Sequence, residues 1–278
     1  MAVSVCLGAC VPAIAGQVPS DSSSFIAAAR LAGRRLEDPG VAIAEGYRKL
    51  GPDFPGMGEH WINPGLVIAG ELDPERPPVL CYTTIGSERR LIALAFTRVL
   101  GPDEDPPDGP LPADAWHDHT GGVDEESLLL TGPVSMDTAG QGFRLAMVHV
   151  WIPEENPAGV FAQNNWALPF LRAGLAVPPS MSREAARALS LSGDGTAFYE
   201  HLLRQGIGLS GANLDGAITV FARASRTVDD WVENRRGRAE HTSRDLIELE
   251  GIWYGLWRDL RDTLSEEAYG QVSILGPG

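Results

Sequence analysis

Histidine is the residue type whose placement in this sequence best supports a defined chemistry. The chain contains six histidines, and four of them precede residue 150, namely His60, His117, His119 and His149. Imidazole nitrogens are common ligands of zinc, copper and iron in proteins. We therefore predict a transition-metal site formed by His60 and His149, with His117 or His119 as a third ligand.

The local patterns around these histidines differ. His149 lies in an alternating segment, residues 143–151, whose apolar members must face a core. His60 lies in a glycine-containing loop, and His117 and His119 project to one side if that piece is extended. A single strand histidine is also often bonded to a backbone carbonyl in a core, so purely structural histidines are the alternative interpretation.

Glu59 precedes His60 directly and offers a carboxylate beside the predicted metal. In a metal-dependent enzyme acting on a small molecule, Glu59 is the candidate general base, and it is also a fallback ligand. A G-x-G-x-x-G match at residues 206–211 lies between two predicted helices and does not follow a strand, which argues against dinucleotide binding.

The charge balance excludes some partner classes. Acidic residues number 37 against 22 basic residues, which gives a net charge of −15. Such a surface disfavours nucleic acids and anionic lipid headgroups. No apolar run reaches the length of about 18 residues that a transmembrane helix needs. A metal ion or a small molecule is the predicted partner, and the oligomeric state stays open.

The first residues are typical of an export signal. Residues 1–24 comprise an almost wholly apolar stretch that ends in Ala13-Ile14-Ala15, followed by a polar linker, as at a secretory cleavage site. An upstream start codon would explain the missing basic region. Leu7-Gly8-Ala9-Cys10 also fits a lipoprotein box, with Cys10 as the lipid anchor. We expect a periplasmic, secreted or lipid-anchored protein.

The remaining sequence predicts an α+β fold. Residues 25–50 are predicted to be helical, with an interruption at Pro39-Gly40 and a second helical stretch over 41–50. A glycine- and proline-rich loop follows over 51–64. Strand-like segments follow at 65–69, 79–84, 90–99, near 127–136 and at 143–152, with a hairpin turn at 85–88. Short connections of this kind favour an antiparallel sheet. Cys81 lies in one apolar strand and is predicted to be a small buried hydrophobe.

The second half of the sequence is helical. Apolar residues step by three and four over 210–234 and again over 243–264, with Ser243 as the expected helix cap. Two such seams joined by a short turn predict an antiparallel helical hairpin. We predict an antiparallel-sheet domain over residues 25–178 and an all-helical hairpin domain over 179–278, with the boundary at Pro178-Pro179.

Two sequence motifs resemble those of a family of uncharacterised bacterial secreted or lipoprotein-like proteins. They are Gly56-Met57-Gly58-Glu59-His60-Trp61-Ile62-Asn63-Pro64 and His149-Val150-Trp151 continuing to Asn156-Pro157-Ala158-Gly159-Val160-Phe161. The resemblance covers about residues 25–165 and implies no particular activity. Two positions depart from it, because Glu59 replaces an aromatic residue and Met147 replaces an acid. If that acid is a ligand in the family, the metal site here is weaker.

Three functions are consistent with these observations. The first is an extracytoplasmic protein that binds a metal or a small ligand at a histidine site. The second is a metal-dependent enzyme acting on a small molecule. The third is a helical protein-interaction module with an inert first domain. Histidines that lie far apart would favour the third, and an open coordination position beside a pocket would favour the second.

Overall fold

The structure, a computed structural model, describes residues 21–118, 125, 129, 142 and 144–277. The signal-like segment up to residue 20, with Cys10, lies outside the described residues, and so does His119. Of the strand expected near 127–136, only Leu129 is described. Two helices and a six-stranded antiparallel sheet are followed by a helical C-terminal region, so the α+β prediction is confirmed.

Every adjacent pair of strands in the sheet is antiparallel. The strands lie in the order β1-β2-β3-β4-β6-β5. Their bounds are β1 (Arg48–Phe54), β2 (Gly58–Ile62), β3 (Val79–Ile85), β4 (Glu88–Leu100), β5 (His117–Asp118) and β6 (Arg144–Val150). The predicted turn between β3 and β4 is confirmed.

The loop predicted over residues 51–64 is wrong, because most of that segment forms the β1–β2 hairpin. Strand β1 is an edge strand with an irregular register between Leu50 and Asp53. Proline lacks a backbone donor and is confined to edge strands and bulges, where Pro52 lies. The glycines and prolines that indicated a loop are compatible with an irregular edge.

The strand predicted at residues 65–69 is also wrong, because this segment is helix α3 (Pro64–Ala69). The Asn63 side chain accepts hydrogen bonds from the backbone amides of Gly65 and Leu66, and Gly70 ends the helix in the left-handed conformation. Asparagine at the N-cap, proline at the first position and glycine at the end are helix signals that outweigh a short apolar run.

The two faces of the sheet contact different helices. The chain begins with α1 (Ser22–Arg35) and α2 (Pro39–Ala44). On one face Phe25 of α1 meets the Phe96 ring edge to face, with centroids 4.9 Å apart, beside Leu80 and Val148. The opposite face carries Cys81 and Ala93 and packs against Leu168 from the C-terminal region.

Six α-helices are described after the sheet. They are α4 (Leu168–Arg172), α5 (Arg183–Leu189), α6 (Thr196–His201), α7 (Gly211–Glu233), α8 (Ser243–Thr263) and α9 (Glu266–Val272). The apolar seams of α7 and α8 pack into one core cluster, as predicted for the hairpin. The cap of α8 differs from the prediction, because Thr242 forms a reciprocal capping box with Asp245.

The sheet and the helical region share apolar contacts. Phe54 and Met57, at the β1–β2 hairpin, are buried in the same cluster as the α7–α8 core, and the Phe54 and Phe198 rings lie 5.4 Å apart. Arg172 of α4 forms a 2.5 Å ion pair with Asp53 of β1. Whether residues 179–278 fold alone stays a prediction that a fragment must test.

None of the helices within residues 21–118 and 144–277 combines the length and apolar character needed to cross a bilayer.

Candidate metal centre

The register of the sheet places His60 and His149 on one face. His60 in β2 lies opposite Cys81 in β3, and Cys81 lies opposite Ala93 in β4. His149 in β6 lies opposite Ala95, two residues further along β4. Since residues two apart on a strand face the same side, these five side chains share one surface.

Small residues between the histidine strands allow the imidazoles to meet. Strands β3 and β4 separate β2 from β6, and three strand spacings correspond to about 14 Å between the backbones. Cys81, Ala93 and Ala95 form the floor of this gap and are fully buried. Two extended imidazole side chains can therefore lean over the floor from opposite sides.

The structure brings the two imidazoles into direct contact. The Nε2 atoms of His60 and His149 lie 3.3 Å apart. One ring nitrogen of each histidine and the Cys81 sulfur form a group whose atoms all lie within 4.8 Å of one another. His60 is 4% exposed, and Cys81 and His149 are fully buried. This buried His-Cys-His group could hold a metal ion.

The nitrogen separation fits tetrahedral coordination. Two metal–nitrogen bonds of about 2.0–2.1 Å that meet at a tetrahedral angle hold their nitrogens about 3.3–3.4 Å apart. A metal–sulfur bond of about 2.3 Å places sulfur about 3.6 Å from each nitrogen, so the thiol needs to approach by little more than about 1 Å. Without an ion, the same 3.3 Å fits one N–H···N hydrogen bond between the rings.

Glycine at position 58 fixes the strand that carries His60. Gly58 has φ of +79°, and a Cβ atom there would lie 2.4 Å from the Tyr82 carbonyl oxygen. Only glycine permits both the left-handed backbone and this close approach of β2 to β3. Met57, the preceding motif residue, is buried in the helical core. The Gly-Met-Gly sequence therefore sets the position of His60 above Cys81.

Apolar and aromatic side chains enclose the group. The Phe54 ring meets the His60 ring edge to face, with centroids 5.4 Å apart. The Trp151 ring lies 6.0 Å from that of His149, and Leu168 packs beside Cys81. These groups shield the ligand atoms from water, and a shell of low polarity strengthens electrostatic contacts to an ion.

Of the two histidines predicted as a third ligand, the structure describes His117. His117 in β5 is half-buried, and its ring stacks on that of His149 with centroids 5.1 Å apart and planes 16° from parallel. The His-Cys-His group does not include it. His117 therefore supports the His149 ring in this geometry. That His117 or His119 binds the metal stays a prediction, and His119 lies outside the described residues.

Glu59 contacts basic groups away from the two histidines. Its carboxylate accepts hydrogen bonds from Lys49 Nζ at 2.8 Å and Trp61 Nε1 at 3.2 Å, and Arg89 lies 3.4 Å away. Burial would raise the pKa of this carboxyl, but the bonds from Lys49 and Trp61 and the charges of Lys49 and Arg89 lower it. Because neighbours along a strand face opposite sides, Glu59 faces away from His60, and its role as a general base or fallback ligand stays a prediction.

Cys81 is the member of the group that sequence reasoning did not assign to the site. The prediction that it is a small buried residue agrees with its full burial, but its position opposite His60 depends on the register of β2 with β3. Recognising residues 58–62 as a strand would have made that pairing a candidate.

No protein-family model, curated protein sequence or solved structure matches this chain.

Proposed function

We propose that this chain is an extracytoplasmic protein that binds one transition-metal ion through His60, Cys81 and His149. The observation that carries the proposal is the 3.3 Å separation of the two Nε2 atoms above a buried thiol. Two buried imidazoles at tetrahedral spacing, converging from strands that are not neighbours, form a preorganised ligand set.

The donor set indicates the class of metal. A thiolate is a soft ligand that favours copper(I) or zinc, and imidazole suits zinc, copper and iron. Hard ions such as magnesium and calcium prefer oxygen ligands, which this group lacks. Zinc and copper(I) are therefore the proposed ions, and binding should release the Cys81 proton as the thiolate forms.

The proposal includes export from the cytoplasm. The apolar start with Ala13-Ile14-Ala15 resembles a signal sequence, and Cys10 offers a lipid attachment point. We propose that export delivers the mature chain to a compartment outside the cytoplasm. Expression with the natural upstream region, followed by mass spectrometry of the mature N-terminus, tests this. A chain that begins at Gly16 or carries lipid on Cys10 supports it, and an intact unmodified chain in the cytoplasm contradicts it.

Metal analysis tests the binding. The chain is purified without a histidine tag, dialysed against zinc or copper(I) under reducing conditions and then against buffer, and analysed by plasma mass spectrometry. We expect about one ion per chain, as one three-ligand site implies. His149→Ala should retain almost none. His201→Ala removes an exposed histidine from α6 and is the matched control.

Two outcomes would contradict the metal proposal. One is a wild-type chain that retains no zinc or copper after dialysis although it is folded by circular dichroism. The other is a His149→Ala variant that retains as much metal as the wild type and the His201→Ala control.

A further inference from the structure

A cleft lies beside the sheet, apart from the metal centre. It has a volume of about 890 Å³ and lies between the edge of the sheet, helix α4 and the loop formed by residues 190–195. This volume lies within the range of about 300–1,000 Å³ that is typical of small-molecule sites. His60, Cys81 and His149 do not line the cleft. Leu168 of α4 belongs to the same apolar cluster as Cys81, whereas Arg172 of that helix lines the cleft.

The wall of the cleft at residues 190–195 is a fixed structure. Asp229 of α7 accepts hydrogen bonds from the Ser192 hydroxyl and from the backbone amide of Gly193. At Gly195 a Cβ atom would lie 1.7 Å from the Ser190 carbonyl oxygen, so this turn requires glycine. These contacts hold this part of the wall in place.

The cleft is positive although the chain is strongly acidic. Four basic and three acidic side chains line it, whereas the whole chain has 22 basic and 37 acidic residues. Lys49, the only lysine of the sequence, is among them. A local excess of positive charge inside a concave, partly buried surface attracts small anions.

The excess arises from Lys49 of β1 and Arg89 of β4. Lys49 and Arg89 share a single carboxylate oxygen of Glu59, and Arg172 pairs with Asp53. These three cations face two carboxylates, so one positive charge is uncompensated. The Lys49 and Arg89 side chains are 43% and 42% exposed, so both can reach a ligand.

Apolar side chains also line the cleft. They include Pro169 and Leu171 of α4 together with Leu189 and Val232. A ligand that matches both the positive charge and these apolar side chains has one negative charge and a short apolar body. We propose that this cleft binds a small organic carboxylate, with its carboxylate at Lys49 and Arg89 and its apolar chain along α4.

Titration calorimetry on the metal-free full chain tests the proposal with matched probes. Hexanoate carries both features, hexanol keeps the chain without the charge, and acetate keeps the charge without the chain. We expect saturable binding of hexanoate, and at least tenfold weaker binding of hexanol and acetate. Equal binding of hexanol and hexanoate, or no saturable binding of hexanoate by the folded chain, would overturn it.

Two variants locate the site. Arg89→Ala should weaken hexanoate binding at least tenfold. Glu59→Gln keeps the side-chain shape but removes the competing carboxylate, so it should tighten hexanoate binding, a gain that misfolding cannot mimic. Arg244→Ala removes an arginine that is 88% exposed and does not line the cleft, so it should bind hexanoate like the wild type.

Hexanoate binding that Arg89→Ala and Glu59→Gln both leave unchanged would place the ligand elsewhere and reject the assignment. Because the metal is absent throughout, this result is independent of the metal proposal.

Discussion

The Nε2 atoms of His60 and His149 lie 3.3 Å apart, although 89 positions separate the two residues in the sequence. The contact spans two intervening strands and depends on a floor of Cys81, Ala93 and Ala95. A larger residue at any floor position would fill the space over which the imidazoles lean. The sheet therefore acts as the rigid support that a preorganised metal site needs.

Cys81 should supply a thiolate to the bound ion. Cobalt(II) substitutes for zinc, and a cobalt–thiolate bond gives a charge-transfer band in the near ultraviolet. We expect this band in the cobalt-loaded wild type and its loss in Cys81→Ser, which keeps nearly the same size but offers a harder oxygen ligand. The unfolding free energy of the metal-free variant should fall by about 1–2 kcal/mol, because a hydroxyl replaces a buried apolar thiol. An unchanged band would remove Cys81 from the site.

Gly58→Ala should destabilise the chain strongly. The φ of +79° and the 2.4 Å approach to the Tyr82 carbonyl oxygen combine backbone strain with a clash against a paired strand, and we expect a loss of about 3 kcal/mol. Gly86→Ala is the matched control, because Gly86 has φ of +64° but no atom within 4 Å of an added Cβ. It should lose about 1 kcal/mol. Urea unfolding measures both, and equal losses would show that the clash is relieved.

Asp245 should make the helical region sensitive to acid. Hydrogen bonds from the Thr242 hydroxyl and backbone amide, and then the Arg235 guanidinium, hold the pKa of Asp245 well below its ordinary value of 3.8. A carboxyl whose pKa is lower in the folded chain contributes stability above its unfolded pKa and loses it as the pH falls through the folded pKa. The contribution is therefore complete above about pH 4 and decreases below that.

Asp245→Asn tests this linkage. At pH 7 the variant should be less stable than the wild type by about 1–2 kcal/mol, since the capping box and an ion pair are weakened. The difference should narrow as the pH falls below about 4, because the carboxyl of the unfolded wild-type chain takes up a proton there while that of the folded chain does so only at its lower pKa. Asp262→Asn, at an exposed position of α8, is the control. A difference that does not vary with pH would contradict the assignment.

The helical region should fold without the sheet. A fragment of residues 179–278 contains α5 to α9 and the packed seams of α7 and α8, and we expect it to be helical and to melt cooperatively. A fragment that begins at residue 164 adds α4, with Phe170 and Leu175 of the same core cluster, and should be more stable. If both fragments are disordered, the helical region needs the contacts of Phe54 and Met57 to fold, and the chain is one folding unit.

Part of this architecture follows from local sequence pattern. The α+β class, the β3–β4 turn and the α7–α8 hairpin depend on the spacing of apolar residues and on turn residues, which act within a few positions of one another. The incorrect predictions for residues 51–64 and 65–69 also have local causes. Pro52 is tolerated because β1 is an edge strand. At residues 65–69, the N-cap formed by Asn63 favours helix α3 over a strand.

The metal centre shows what sequence alone determined and what only the tertiary structure decided. Composition and residue type indicated histidines suited to a metal and placed His149 on a buried strand face. Three features depend on strand order and register: the contact of His60 with His149, the position of Cys81 beside them, and the contacts of Glu59 with Lys49 and Arg89. Register is set by long-range pairing, and a shift by one residue would exchange the two faces of a strand. No pattern within one segment can specify such contacts between segments.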